Sequence, residues 1–222
     1  MPVSQVYANS NDSVIGTAGT SGWSSIRGDV NSSGIFSNTG STSGNAILNQ
    51  GLGGRGATAY YIYRSYFEFD LSGESGTATE VSLHLYADNK GTVADEEASI
   101  FIVSATALAD GASDYGNCFS SGTTLGTSLG LAQASTTEGY CDADFYSAGI
   151  SAVNSAIGSG TLTIGCLGYY DFTNTTPTQG GNFAEIKMTY SNYTGTSRDP
   201  YLRITTASAT ATDNAVFFGT NF

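Results

Sequence analysis

The sequence contains little charge and very few basic side chains, and this shortage excludes a class of partners. Charged residues make up 12% of the 222 residues, and the formal net charge is -12. Lys90 and Lys187 are the only lysines. Such a chain cannot assemble the basic surface that binds a phosphate backbone, so we expect no nucleic-acid partner.

The single histidine argues against histidine-based catalysis. His84 has no second histidine with which to share a metal, and no GxSxG or related motif surrounds a candidate nucleophile. Its place between Ser82 and Tyr86 puts it on the polar face of a predicted strand. Pairs of acidic residues could serve glycoside hydrolysis, but no supporting motif accompanies them. We therefore predict a protein that is not an enzyme, with no catalytic residues.

Cysteine and long apolar runs are also scarce. Cys118, Cys141 and Cys166 match neither a CxxC metal knuckle nor an even-numbered disulfide framework, so we expect buried free thiols or one disulfide. The opening MPVSQVYANSNDS lacks the basic and apolar regions of a secretory signal, and no apolar run reaches membrane-spanning length. We expect no membrane insertion, and release from a cell by lysis rather than by export.

The residues that are abundant indicate turns and strands. The chain has 29 glycines, 14 tyrosines and 11 phenylalanines. Apolar residues recur at every second position, or fill both faces, in six segments, as in strands with one or both faces buried. These segments are residues 60–72, 81–88, 98–103, 161–170, 183–190 and 201–205. Two to four weaker strands complete the predicted all-β sandwich.

The first of these segments is rich in tyrosine. Alternation predicts a core face and a solvent face; the core face holds Tyr61, Tyr63, Phe67, Phe69 and Leu71, and the solvent face holds Arg64, Tyr66, Glu68 and Asp70. Aromatic rings outside the core can stack on sugars. Tyr60, Tyr66 and Trp23 are therefore possible glycan-stacking residues.

One short helix is predicted over residues 147–158. Ile150, Val153 and Ile157 fall on one helical face, Ser147 is placed to cap the helix, and Gly158 to end it.

Three regions are predicted along the chain. Residues 1–56 form a Gly/Ser/Asn-rich arm, residues 57–206 the sandwich, and residues 207–222 a docking tail. The arm either completes the sandwich with short strands near Val3–Tyr7 and residues 47–52, or is held by a neighbouring subunit. The tail either docks on a neighbour or folds back on its own core, through the apolar residues Val216, Phe217, Phe218 and Phe222.

Two acidic clusters are candidate calcium sites. Asp142 and Asp144 lie two residues apart, on the same side of a strand, and Asp95, Glu96 and Glu97 lie in a loop. Carboxylates in sandwich loops can coordinate calcium, although neither cluster has EF-hand spacing. Solvated acidic loops are the preferred interpretation, so calcium is possible and no other cofactor is expected.

Two stretches resemble a known family. RSYFEFDLSG (64–73), followed by EVSLHLYAD, resembles the R-x-x-F-x-F-D-L-S and A-x-L-x-L-Y pattern of jelly-roll domains of the DNRLRE type. TSRDPYLRIT (196–205) resembles their closing P-x-L-x-I strand, so the resemblance covers roughly residues 60–205. It implies an antiparallel jelly-roll β-sandwich with one short helix and, in this chain, extended terminal segments.

The resemblance also implies a function. Domains of this type occur as non-catalytic modules of extracellular enzymes and adhesins, and similar sequences occur among virion proteins of aquatic phages. We expect a bacteriophage structural protein, either a capsid decoration or cement protein or a head or tail fibre subunit. It would be assembled in the host cytoplasm, and would contact itself, other virion proteins and host surface glycans. A carbohydrate-binding module and a strand-exchanged surface filament subunit are the alternatives.

Overall fold

The computed structural model describes residues 1–28, 36–39, 45–52, 59–90, 99–105, 116, 123–129, 139–177, 184–189, 191 and 195–207. The strands are β1 (Val3–Tyr7), β2 (Ser13–Gly19), β3 (Phe36–Thr39), β4 (Asn45–Leu52), β5 (Tyr60–Asp70), β6 (Ala78–Lys90), β7 (Ile100–Ser104), β8 (Gly139–Asp144), β9 (Thr161–Gly168), β10 (Ala184–Thr189) and β11 (Tyr201–Thr206). The helices are α1 (Trp23–Gly28), α2 (Ser147–Ala156) and α3 (Tyr169–Thr173). The prediction of an all-β fold is confirmed.

The strands form two antiparallel sheets. The front sheet has the order β1-β11-β6-β8, and the back sheet has the order β7-β9-β5-β2-β3. Strands β10 and β4 pair with each other and connect β6 of the front sheet to β5 of the back sheet. The hydrogen bonding is therefore continuous through all 11 strands.

The chain alternates between the sheets in the manner of a jelly roll. It passes from β1 at the front to β5 at the back, then to β6 at the front and β7 at the back. Residues 123–129 add to the free edge of β7 through bridges from Thr124 and Leu129. The chain returns through β8 at the front, β9 at the back and β11 at the front, and this winding confirms the predicted jelly-roll sandwich.

The described part of the arm, residues 1–56, lies within the sandwich of its own chain. β1 pairs with β11, β2 pairs with β5, and β4 lies between β10 and β5. The described strands of the arm therefore pair with strands of their own chain.

An inner core fills the space between the sheets. Its front half comes from Val81, Leu83 and Leu85 of β6 and their neighbours on β8 and β11. Its back half includes Phe67 and Phe69 of β5. The alternation predicted for these strands is confirmed at these positions. Each fully buried large apolar side chain stabilises the fold by roughly 1.5–3 kcal/mol.

A second, outer core covers the far face of the back sheet. Helices α1 and α3 pack there; the buried members of this core are Ile15, Trp23, Ile26, Ile62, Tyr66, Val103, Leu167 and Tyr170. The predicted solvent face of β5 is therefore wrong at Arg64, Tyr66 and Glu68, all of which are buried. The prediction failed at Arg64 and Tyr66 because alternation within one strand does not reveal a second layer packed above it. Glu68 is instead covered by the β1–β2 connection, where Asn9 and Asn11 donate hydrogen bonds to its carboxylate.

The helix over residues 147–158 is confirmed, but its predicted cap is not. Tyr146 occupies the N-cap position and makes no side-chain capping hydrogen bond. Gly158 has a φ of 77°, a left-handed conformation that suits glycine and ends the helix. The expectation of a single helix is wrong, because the described residues also contain α1 and α3. The Tyr169–Tyr170 pair, predicted to continue a strand, begins α3.

Candidate functional site

Antiparallel pairing aligns a row of side chains across the outer surface of the front sheet. Tyr7 of β1 pairs with Tyr201 of β11, Tyr201 pairs with His84 of β6, and His84 pairs with Asp142 of β8. Residues directly opposite each other on antiparallel strands point to the same face. The inner core takes the alternate residues, so this row points away from it.

The rings in and beside this row contact one another. His84 stacks on Tyr201 with a centroid distance of 4.4 Å and an interplanar angle of 5°. Tyr140 meets Tyr201 edge-on at 5.3 Å, and Tyr86 meets Tyr140 at 5.2 Å. Tyr7 lies 5.7 Å from Tyr201. We call these five side chains, contributed by four strands, the aromatic face.

The aromatic face is open to solvent. Tyr7 is 37% exposed, and the other four rings are half-buried. Arg198 extends along one side, with its guanidinium carbon 4.8 Å from the centre of the Tyr86 ring. A cation at this distance from a ring is attracted to its π-electrons and helps hold the ring in place.

Hydrogen bonds and local charges fix the ionisation of the polar groups here. The Tyr140 hydroxyl donates to the backbone carbonyl of Asp199 at 3.0 Å. Burial, followed by the neighbouring rings of Tyr201 and Tyr7, raises the pKa of Tyr140 to about 12. The hydroxyl is therefore neutral at physiological pH and remains a donor.

The pKa of His84 is lowered, although the two neighbouring carboxylates act to raise it. Burial of the ring lowers this pKa, Asp142 and Asp144 raise it, and Arg203 lowers it, with a net decrease from the ordinary value of 6.5. His84 Nε2 lies 2.9 Å from the Ser82 hydroxyl oxygen. The imidazole is thus mainly neutral near pH 7, which favours its stacking on Tyr201 as an uncharged ring.

A polar groove adjoins the aromatic face on the same side of the front sheet. It has a volume of about 430 Å³, and Glu80, Ser82, Asp144, Ile150 and Arg203 are among its lining residues. Carboxylates, a hydroxyl and a guanidinium thus line a groove beside exposed rings. A few polar groups next to a ring surface are characteristic of sites that bind small polar molecules with apolar faces.

The structure corrects the predicted stacking residues. Trp23 is 3% exposed and Tyr66 is 0% exposed, so both rings belong to the outer core and neither offers a face to a ligand. Tyr60 is half-buried and packs edge-on against Trp23 at 5.7 Å. The error has the same origin as that for Arg64, since helices α1 and α3 cover this face of the back sheet.

Sequence reasoning did not single out the residues of the aromatic face. Tyr86 and His84 alternate with buried leucines, and Tyr201 alternates with Leu202 and Ile204, so their outward orientation was readable. Contact between these rings could not be predicted from the sequence, because it depends on β1, β6, β8 and β11 being neighbours in one sheet.

The acidic pair Asp142 and Asp144 lies exposed on one side of β8, as alternation predicts. Within the described residues, no group of three or more His, Cys, Asp or Glu side chains is arranged to hold a metal ion. The other predicted cluster, Asp95, Glu96 and Glu97, lies outside the described residues.

Two further predictions concern the thiols and the tail. Cys141 and Cys166 are buried and are not joined in a disulfide bond, whereas Cys118 falls outside the described part of the chain. The tail residues Val216, Phe217, Phe218 and Phe222 also fall outside it.

No family model matches the chain, and no curated protein is detectably similar to it in sequence. Among the described residues, no helix has both the length and the apolar character needed to cross a bilayer. The fold and the site thus define a jelly-roll sandwich with an aromatic, partly polar face on its front sheet.

Proposed function

We propose that this chain is a non-catalytic binding protein whose aromatic face binds carbohydrate. The observation that carries this proposal is the contiguous set of solvent-accessible rings on the front sheet, next to a polar groove. Sugar rings present apolar C–H faces that pack on aromatic side chains and hydroxyls that seek polar partners. The aromatic face and the groove supply both kinds of contact.

The charges near this face restrict the class of sugar. Glu80, Asp142 and Asp144 border it, against Arg198 and Arg203, and the whole chain carries a net charge of -12. An acidic polysaccharide or a nucleic acid would be repelled by this distribution. Neutral sugars or amino sugars are the expected ligands.

A glycan array with neutral, amino and acidic sugars tests the proposal, followed by calorimetry on any ligand found. Tyr201→Ala removes the central ring and is expected to weaken binding about tenfold, or about 1.4 kcal/mol. Tyr201→Phe keeps the ring and is expected to retain binding. Tyr146→Ala, which alters a 51% exposed tyrosine outside the aromatic face, is the control. Binding that survives Tyr201→Ala in a folded variant would contradict the proposal.

We also propose that the chain is a structural subunit of a bacteriophage particle, as a capsid decoration or cement protein or as a fibre subunit. The resemblance of residues 60–205 to jelly-roll virion domains supports this role. The edge of the front sheet adds a specific observation. β1 pairs only with β11 among the described strands, and Val3 on β1 is 51% exposed. An edge strand that carries an exposed apolar side chain favours the addition of a strand from a neighbour.

Light scattering and native mass spectrometry of the full chain test the assembly role. We expect an oligomer that Val3→Lys weakens, because a lysine on an edge strand opposes further pairing. Tyr146→Lys introduces the same charge at an equally exposed position, 51%, and is expected to leave the oligomer intact. A monomer whose truncation after residue 206 changes nothing would contradict the assembly role. Mass spectrometry of purified bacteriophage particles tests whether the chain is a component of the virion.

A further inference from the structure

Two acidic residues far apart in the sequence, Asp12 and Asp199, lie in neighbouring segments of the folded chain. Asp12 lies in the connection between β1 and β2, and Asp199 lies just before β11. The backbone amide of Ala8 donates to the carbonyl of Pro200 at 2.8 Å. Ser191 joins the same region, because its amide donates to Asp12 Oδ2 at 2.6 Å and its hydroxyl donates to the Asn9 carbonyl at 2.8 Å.

Both carboxylates are buried, and each has one oxygen for which the described residues provide no hydrogen-bond donor. Asp12 is 0% exposed and Asp199 is 6% exposed. Within the described residues, Oδ1 of each side chain accepts no hydrogen bond, and the described salt bridges involve only Asp171 as the acid. A third buried oxygen with no hydrogen-bond partner among the described residues, Thr189 Oγ1, lies two residues before Ser191 in the sequence. A buried carboxylate oxygen that lacks a partner is costly, because its hydration is lost without replacement.

Burial shifts the ionisation of both carboxylates, and the charge of Asp199 also acts on Asp12. The pKa of Asp12 is raised to about 6: burial raises it most, hydrogen bonding from Ser191 lowers it, and the negative charge of Asp199 raises it. Burial likewise raises the pKa of Asp199. Two buried like charges that form no salt bridge with the described residues are unfavourable, and a bound cation would reverse the sign of that interaction.

We propose that Asp12 and Asp199 bind a divalent cation of the calcium class, through the carboxylate oxygens that accept no hydrogen bond from the described residues. Calcium accepts carboxylates, backbone carbonyls and water in irregular geometry, so two acidic ligands in a turn-rich region suit it better than they suit magnesium. The ion would fasten the β1–β2 connection to the segment that leads into β11. This site differs from the Asp142–Asp144 pair on β8, and it is independent of the carbohydrate-binding proposal.

Thermal unfolding and calorimetry of the full chain test this site after treatment with EDTA. Millimolar calcium is expected to raise the melting temperature by several degrees or more, since a ligand that binds only the folded state stabilises it. Asp12→Asn and Asp199→Asn are each expected to abolish the shift and to weaken calcium binding at least about tenfold. In EDTA, Asp12→Asn is expected to melt no lower than the unsubstituted chain, because it removes one of two repelling charges.

The double variant Asp142→Asn/Asp144→Asn is the matched control, and it is expected to keep the calcium-induced shift. Terbium luminescence sensitised by tyrosine gives a second readout, because Tyr140 donates a hydrogen bond to the Asp199 carbonyl. The proposal is overturned if calcium leaves the melting temperature unchanged, or if the shift persists in both Asp12→Asn and Asp199→Asn. It is also overturned if these variants lower the melting temperature equally with and without calcium, since the carboxylates would then act only in a proton-sharing pair.

Discussion

The guanidinium of Arg64 on β5 donates two hydrogen bonds to the carboxylate of Asp171 on α3. Arg64 Nε lies 2.7 Å from Asp171 Oδ2, and Arg64 Nη2 lies 2.9 Å from Asp171 Oδ1. The two side chains are 0% and 1% exposed. Arg27 of α1 adds a contact to the Asp171 backbone carbonyl. This ion pair fastens both short helices to the outer face of the back sheet.

Removing one partner of this pair is expected to destabilise the protein strongly. Asp171→Ala leaves the Arg64 charge buried and unpaired, so we expect a loss of about 3–5 kcal/mol in the free energy of unfolding. Replacing both charges, as in Arg64→Met/Asp171→Leu, is expected to cost much less. Urea denaturation measures both values. A single variant as stable as the unsubstituted chain would show that the pair does not fasten the helices.

Gly149 on α2 has no room for a larger side chain. A Cβ there would meet the carbonyl oxygen of Leu125 and would lie 2.7 Å from Phe145 Cδ2. Although alanine favours helix by about 1 kcal/mol, the backbone carbonyl cannot easily move, so we expect Gly149→Ala to destabilise the fold by about 1–3 kcal/mol. Gly160→Ala, with no atom within 4 Å of the new Cβ, is the control and should lie within about 0.5 kcal/mol of the unsubstituted chain.

The titration of His84 reports on the aromatic face. Because His84 is the only histidine, its NMR signals need no further assignment, and we expect a pKa below 6.5. A histidine whose folded pKa is lowered binds its proton more readily in the unfolded state. Its contribution to stability is therefore present above about pH 6.5 and declines as the pH falls through that value.

Two variants test the origin of this shift. Asp142→Asn removes a carboxylate that raises the pKa of His84, and should lower that pKa further. His84→Gln should remove this part of the pH dependence of stability. A measured pKa above 6.5 would mean that the carboxylates outweigh burial and Arg203.

Trp23 is expected to behave as a core residue in solution. It is the only tryptophan, so fluorescence excited selectively at tryptophan rather than at the 14 tyrosines reports on it alone. Its burial predicts emission shifted to short wavelength and weak quenching by acrylamide, with both properties reversed in denaturant. A sugar that binds the aromatic face should leave this emission unchanged. Strong quenching in the native state would return Trp23 to the list of candidate stacking residues.

Local patterns in the sequence were sufficient for much of the fold. Alternation along β6, β9 and β11 is a property of neighbouring residues, so the inward positions of Leu83, Ile164 and Ile204 could be predicted from the sequence. The helical spacing of Ile150, Val153 and Ile157 predicted α2 for the same reason. The short helices α1 and α3 were missed, because helices of 6 and 5 residues leave too little periodicity to detect.

By itself, the sequence determined that this protein is an all-β sandwich with few basic groups, because strand periodicity and composition are carried by the chain locally. Only the tertiary structure decided which rings are exposed. It buried Trp23 and Tyr66 under helices, and it brought Tyr7, His84, Tyr140 and Tyr201 together on one surface. The physical reason is that strand order and layer packing depend on contacts between distant segments, which no local pattern encodes.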